Sequence, residues 1–351
     1  MNNDFSGFLL HWNRNVNNRQ MPWKGEKDPY LVWLSEIILQ QTRVEQGLPY
    51  YLRFKKKYPD VKKLADAPED EVMKLWQGLG YYSRARNLHT TAKYIAYVLK
   101  GRFPDNFHAI KTLKGVGDYT AAAIASFVFG EAKAVVDGNV IRVLARVFGI
   151  STAWDTTAGK KLFTALATEQ LPAKQAGEYN QAIMDFGAIV CTPQNPDCPD
   201  CVLQTLCIAY KGNLVEELPV RAKRTKIRER YFTYLLVTDG KQLLVQKRQG
   251  NDIWKNLYQL PLLEGETKFA AVTKAAMRKL LGTDDFKVQT DEYTEVQLLS
   301  HQKIHFRFIT LRCKSITNVK KDEFQPVEFK KLKSFAFPRT IHLFLHRKSL
   351  L

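Results

Sequence analysis

The sequence predicts two domains of different class, an all-α N-terminal domain followed by an α+β C-terminal domain. Three observations predict this. Apolar residues recur three and four apart from Phe5 to about Tyr210, the hydrophobic pattern turns β-like from Tyr231, and a basic stretch from Arg221 to Arg230 separates the two. At 351 residues the chain is too long for one ordinary core, and 45% hydrophobic residues suffice for two. The expected boundaries are 1–215 for the helical domain, 216–230 for a basic linker and 231–351 for the second domain.

Helical periodicity is clear at residues 61–64, 71–79, 87–99, 120–129 and 160–169. Breaks fall at Tyr58-Pro59-Asp60, Ala67-Pro68 and Arg102-Phe103-Pro104-Asp105. No convincing strand precedes Tyr210. The basic stretch has little to pack, and reads equally as chain lying on a phosphate backbone or as a solvated connector. Residues 231–238 and 242–247 then flank Asp239-Gly240, a hairpin turn dipeptide. A helix is expected around 269–281, with further strands near 296–299 and 304–312.

Lys and Arg total 53 against 35 Asp and Glu, a formal net charge of +18. A surface selected for solubility is the plain explanation; a polyanionic partner, nucleic acid first, is the stronger one. No apolar run approaches the ~18 residues that span a bilayer, and the first residues lack a secretory pattern. A soluble cytoplasmic monomer is expected. Four of the five cysteines fall between Cys191 and Cys207, which suggests a metal site in a reducing compartment rather than a disulfide framework. Cys313 reads as an ordinary core residue.

Four motifs carry chemistry. Cys191-x6-Cys198-x2-Cys201-x5-Cys207 places four thiolates in one segment that Pro193, Pro196 and Pro199 keep irregular. Structural zinc is the rival, but its sites pair two separated knuckles; a 4Fe–4S cluster on four thiolates fits better. Leu113-Lys-Gly115-Val-Gly117-Asp-Tyr119 joins two helices through glycines, a hairpin able to hold a phosphate on free N–H groups, or else a plain αα-turn. Asp137, in Val136-Asp137-Gly138-Asn139, precedes a helix as an N-cap and can also face a developing cation. Glu36 is the single charge in Tyr30-Leu-Val-Trp-Leu-Ser-Glu-Ile-Ile-Leu39. Burial raises such a carboxyl's pKa and makes it a candidate general acid, unless a distant Arg pairs with it. Gln40, Gln41 and Thr42 follow as polar groups suited to bases or backbone.

Together these residues resemble the MutY-type adenine DNA glycosylases of the endonuclease III helix–hairpin–helix superfamily. Ser35-Glu36-Ile-Ile-Leu-Gln-Gln-Thr42, Gly78-Leu-Gly-Tyr-Tyr-Ser-Arg-Ala-Arg-Asn-Leu88, the Gly115-Val-Gly117 turn, Val136-Asp-Gly-Asn-Val140 and the four cysteines match in order. The resemblance covers nearly all of residues 21–208. It implies a 4Fe–4S cluster on Cys191, Cys198, Cys201 and Cys207. It makes Glu36 the acid that protonates adenine and then activates water, and Asp137 the stabiliser of an oxocarbenium-like sugar, as in two-carboxylate glycoside hydrolysis. Tyr119 and Asn139 assist there. Arg19, Trp23, Lys24, Leu39 and Gln181 line or approach the adenine pocket. The implied partner is double-stranded DNA with adenine opposite 8-oxoguanine, Gln41 and Tyr81 wedging into the stack.

Bifunctional relatives carry a lysine where Tyr119 stands, so a monofunctional glycosylase is expected. The second domain resembles the family's Nudix-like module. Its helix, Ala270 to Leu281, lacks every acidic residue that a Nudix hydrolase uses to hold magnesium. The family's Phe-Ser-His loop falls on Leu299-Ser300-His301, which implies that Ser300 and His301 meet the lesion strand. Three alternatives follow. A glycosylase/lyase for oxidised pyrimidines is disfavoured by Tyr119. A non-catalytic iron–sulfur DNA-binding or redox-sensing protein needs neither Glu36 nor Asp137. A nucleotide pyrophosphohydrolase is set back by the missing acidic helix.

Overall fold

The computed structural model describes residues 4–222, 227–283, 285–289, 292–316, 319 and 323–351. Part of the basic stretch, 223–226, lies outside the described residues. By its contacts the chain divides into two units, Met1–Asp66 with Asn87–Lys223, and Ala67–Arg86 with Arg224–Leu351.

The helices of the N-terminal part are, in order, α1 (Phe5–Asn15), α2 (Pro29–Leu39), α3 (Val44–Lys57), α4 (Val61–Asp66), α5 (Glu69–Leu75) and α6 (Ser83–Lys93). After these come α7 (Phe107–Lys111), α8 (Asp118–Phe129), α9 (Gly138–Val147), α10 (Thr157–Glu169), α11 (Ala176–Ile189) and α12 (Ile208–Lys211). No strand occurs among the described residues before Arg228, as the all-α expectation required.

The local sequence explains the elements that matter most. Asp28 caps α2 by accepting from the Tyr30 N–H, and Pro29 sits at the first helical turn, where a missing N–H costs nothing. Every residue of α2 from Tyr30 to Ile38 is buried, so this helix runs through the core rather than along its surface. The Ala-rich α8 is buried from Thr120 to Ser126, and its small side chains allow α2 and α11 to pack closely on it. Gly130, in the left-handed conformation at φ 69°, ends it. Phe5, Leu9 and Trp12 of α1 interlock with Val140, Val143 and Leu144 of α9 and with Tyr179, Ile183 and Phe186 of α11.

In the second unit β1 (Arg228–Thr238) is the centre of a mixed sheet with β2 (Gln242–Lys247), β3 (Tyr258–Gln259), β4 (Leu262–Gly265), β5 (Lys287–Val288), β6 (Tyr293–Leu298), β7 (Gln302–Arg312) and β8 (Gln325–Glu328). β1 runs parallel to β7 from Arg228↔Gln302 to Thr238↔Arg312 and antiparallel to β2 and β4. Strand alternation divides the buried residues. Phe232, Tyr234, Phe306 and Phe308 pack with Phe344 of α14 (Arg339–Arg347). Leu235, Val237 and Leu311 pack with Met277 and Leu281 of α13 (Lys274–Leu281), and buried Cys313 joins that second cluster.

Three expectations need correction. The helix expected from 269 begins only at Lys274, because Thr273 caps it by accepting from the Ala276 N–H. The basic stretch is not unpacked to its end. Arg230 lies inside β1, is buried, and forms paired hydrogen bonds to Asp252 at 2.8–2.9 Å and to Glu264 at 2.7–2.9 Å. Residues 67–86, which sequence assigned to the helical domain, pack in the second unit through Asp70, which accepts from the Lys247 ammonium at 2.5 Å and the Tyr258 hydroxyl at 3.0 Å.

Candidate active site

Three elements of the first unit converge. Glu36 sits in the last turn of α2, Tyr119 in the first turn of α8, and Asp137 at the N-cap of α9. Glu36 is 6% exposed, and its carboxyl is pushed up to about 7. Burial is the main cause and the nearby Asp137 charge adds to it, while a hydrogen bond with Tyr119 pulls the other way. No cation is among these causes, so the pairing with a distant Arg does not account for this glutamate. Burial likewise raises the Tyr119 hydroxyl well above its ordinary range, so it stays a donor.

Asp137 accepts from the Val140 N–H at 2.8 Å, a helix cap, and from the Asn139 side-chain amide at 2.9 Å. Burial raises its carboxyl, and those two bonds oppose the rise. Asn139 is in turn oriented by Arg142, whose Nη2 donates to its Oδ1 at 2.9 Å. Arg142 also donates to the carbonyls of Gly187 and Cys191, and Arg146, one turn on, donates to the Thr192 carbonyl and lies 3.5 Å from Cys191 Sγ. The helix that carries the catalytic candidate is therefore bonded to the start of the cysteine segment.

A cavity of about 450 Å³ reaches Glu36, lined also by Trp23, Lys24 and Gln181. Arg19 and Leu39 do not line it. Arg19 instead donates to Asp185 at 2.7 Å, and Lys24 donates to the other oxygen of that carboxylate at 3.1 Å. The Asp185 side chain is 0% exposed, so one fully buried anion ties two cations beside the cavity. Sequence reasoning missed Asp185, although the signal that exposed Glu36, one charge within the apolar helical run Ala182-Ile-Met-Asp-Phe-Gly-Ala-Ile189, was present there too.

Gln40 donates to Thr120 Oγ1 at 3.1 Å, so it braces α2 against α8. Gln41 and Tyr81 share a rarer property: each is a non-glycine residue with positive φ, 55° and 45°. Such strain tends to be kept at functional positions. Thr42 follows as a partly buried residue. In the hairpin Gly115 has φ 83°, and a Cβ there would come within 2.7 Å of Asn87 Cβ; Gly117 is extended and caps α8. Both glycines are exposed. Tyr81, Ser300 and His301 belong to the second unit; Ser300 Oγ and His301 Nδ1 lie 3.0 Å apart at the exposed turn between β6 and β7.

Cys191, Cys198, Cys201 and Cys207 line one small cavity. Among the described residues no three His, Cys, Asp or Glu side chains are disposed to share a single metal ion. A four-iron cluster makes a different demand, since its four thiolates are distributed over four irons. Burial pushes the Cys201 thiol up to about 11 and raises those of Cys198 and Cys207, each helped by the neighbouring thiols. A cationic centre that removes those protons relieves the crowding, so the donor set fits such a group.

The helix–hairpin–helix model described as the HhH-GPD superfamily of base excision DNA repair proteins matches residues 34–167, and a NUDIX domain model matches 233–347. An adenine DNA glycosylase of Buchnera aphidicola subsp. Baizongia pistaciae is 36% identical over 254 residues, 72% of this chain and 72% of that protein. The adenine DNA glycosylase of Homo sapiens is 42% identical over 223 residues, 61% of this chain and 41% of that one. Among solved structures, a thermostable thymine-DNA glycosylase matches with a TM-score of 0.55 and 33% identity, covering 59% of this chain and 95% of its own. A non-covalent endonuclease III–DNA complex shares the fold, with a TM-score of 0.52 at 22% identity over 61% of this chain and 99% of its own. With 36% identity to an adenine DNA glycosylase over 72% of each chain, and with the superfamily model matched over residues 34–167, the chain belongs to the adenine DNA glycosylases of the helix–hairpin–helix base excision repair superfamily.

Proposed function

We propose that this protein hydrolyses the N-glycosidic bond of adenine mispaired with 8-oxoguanine in double-stranded DNA, as a monofunctional glycosylase acting as a monomer. The observation that carries the reading is Glu36, a buried carboxyl held near pKa 7 against Tyr119 and close to Asp137. Glu36 gives its proton to N7 of the extruded base. The C1′–N9 bond then breaks, and its electron pair leaves with adenine. The cationic sugar faces the ionised Asp137, which Asn139 and the Val140 N–H hold in place. Water adds at C1′ and Glu36, now ionised, takes its proton. Tyr119 keeps the Glu36 carboxyl oriented and, lacking an amine, forms no imine with the sugar.

Trp23, Lys24 and Gln181 receive the base, with Arg19 and Leu39 near them. The exposed Gly115 and Gly117 turn holds a phosphate of the duplex at the start of α8. Gln40, Gln41 and Thr42 meet the opened stack, and Tyr81, Ser300 and His301 read the lesion strand. Extrusion costs a few kcal/mol, less at a mispair. Cys191, Cys198, Cys201 and Cys207 would hold a 4Fe–4S cluster. When bound, that cluster supplies a structural cross-link of the segment to which Arg142 and Arg146 are bonded.

The test is direct. Purified protein is incubated with a duplex carrying adenine opposite 8-oxoguanine, and strands are resolved with and without alkali. Scission at the adenine only after alkali is expected, from a preparation with about four irons per chain. No release of adenine would sink the reading; scission without alkali would sink the monofunctional part, and stoichiometric zinc the cluster.

A further inference from the structure

The cavity at Glu36 has a direction. At one end of the α2–α8 pair Gln40 bonds to Thr120, next to Tyr119 and the hairpin glycines. At the other end the Lys27 ammonium donates to the Phe127 carbonyl at 2.8 Å. The two helices are therefore antiparallel, and the seven residue steps from Thr120 to Phe127 separate these contacts by ~10 Å at ~1.5 Å per residue. The cavity is walled by Lys27, Phe127 and Gly130 from the far end of that pair, and by Lys174, Gln175 and Glu178 at the start of α11. Tyr119, Asp137, Asn139 and Gln40 do not line it. It approaches Glu36 from the end opposite the hairpin.

We propose that this cavity is a rear port, through which the excised base leaves while the duplex still lies against the hairpin end. The inference rests on the reading of Glu36 as the acid that frees adenine. Once the glycosidic bond is broken, the way back is filled by the abasic sugar and its strand. About 450 Å³ accommodates a planar purine, and Trp23 and Gln181 give it an aromatic wall and an amide along the route. The mouth is charged with both signs, Lys27 and Lys174 against Glu26 and Glu178, so it stays hydrated rather than collapsing. The close approach of α11 to α8 fixes the wall: a Cβ on Gly177 would come within 2.6 Å of the Ser126 carbonyl.

The experiment uses the full, cluster-loaded chain and a duplex with tritiated adenine opposite 8-oxoguanine. Single-turnover excision, escape of labelled adenine from the protein–DNA complex by rapid gel filtration, and duplex release by fluorescence anisotropy are measured separately. In the wild type, adenine is expected to escape ahead of the duplex. Lys174→Trp and Gln175→Trp, which narrow the mouth, are expected to leave excision within about twofold while slowing escape about tenfold, toward the rate of duplex release. Unchanged escape in both variants overturns the port, as does wild-type adenine that leaves only with the duplex. Should neither variant fold, that wild-type comparison decides alone. Absence of excision in the wild type is a different result, and overturns the reading of the reaction instead.

Discussion

At Glu36 chemistry and stability are linked through one proton. Its folded-state pKa of about 7 stands above the ordinary 4.5, so the folded protein binds that proton more tightly than the unfolded chain does. Stability therefore falls as pH rises from about 4.5 through about 7, by roughly 3 kcal/mol once the rise is complete. Glu36→Gln removes the burial cost of the charge. Urea melts should find the variant more stable than wild type at pH 8 by a few kcal/mol and equal to it at pH 4, while excision is lost. Equal stability at both pH values would mean that the carboxyl is not strained by burial. In the wild type the single-turnover rate should fall above about pH 7, as the acid ionises. Tyr119→Phe deletes the bond that lowers this pKa, so the alkaline limb should move to higher pH; a limb that stays put would uncouple Tyr119 from Glu36.

Elements explain why one residue can serve two purposes. Asp137 caps α9 through the Val140 N–H and, on our reading, also faces the cationic sugar. The two roles separate by substitution. Asp137→Asn keeps a capping oxygen but loses the charge, so excision should drop by orders of magnitude with stability changed by only a few tenths of a kcal/mol. Asp137→Ala should lose the same activity and about 1 kcal/mol more in a denaturant melt. Retained excision in the Asn variant would reduce Asp137 to a cap. This capping role was legible in the sequence because a helix end is local: Asp, Gly and Asn precede an apolar run. The Glu36 run and the cysteine spacing are local in the same sense. What sequence hid is long-range. Arg230 read as linker because Asp252 and Glu264 lie 22 and 34 residues on. The partners of Asp185 were hidden because Arg19 and Lys24 lie 166 and 161 residues away. The parallel pairing of β1 with β7 has no signature in either strand alone.

On the scale of the whole molecule, the division of the chain also divides the proposed tasks. Glu36, Tyr119, Asp137 and the hairpin glycines stand in the first unit; Tyr81, Ser300 and His301 stand in the second, which takes in residues 67–86. The segment is tied there by Asp70 and by the Lys74 ammonium, which donates to the Phe335 carbonyl at 3.0 Å. Within it Arg84 donates to the Gly80 carbonyl at 3.2 Å and lies over the Tyr81 ring, holding an exposed tyrosine on a left-handed backbone. If the lesion strand is read by this unit and the bond is cut by the other, altering the readers should change preference and spare chemistry. Ser300→Ala with His301→Ala, and separately Tyr81→Ala, are to be compared with wild type on adenine opposite 8-oxoguanine and opposite guanine. One salt concentration must be used throughout, because phosphate contacts make affinity salt-dependent. The expected result is a loss of ~1–3 kcal/mol of preference, the scale of a good base contact. The maximal single-turnover rate opposite guanine should stay within about twofold of wild type. A preference that survives both sets of changes removes these residues as lesion readers. Equal losses with both partners assign them to general duplex binding instead.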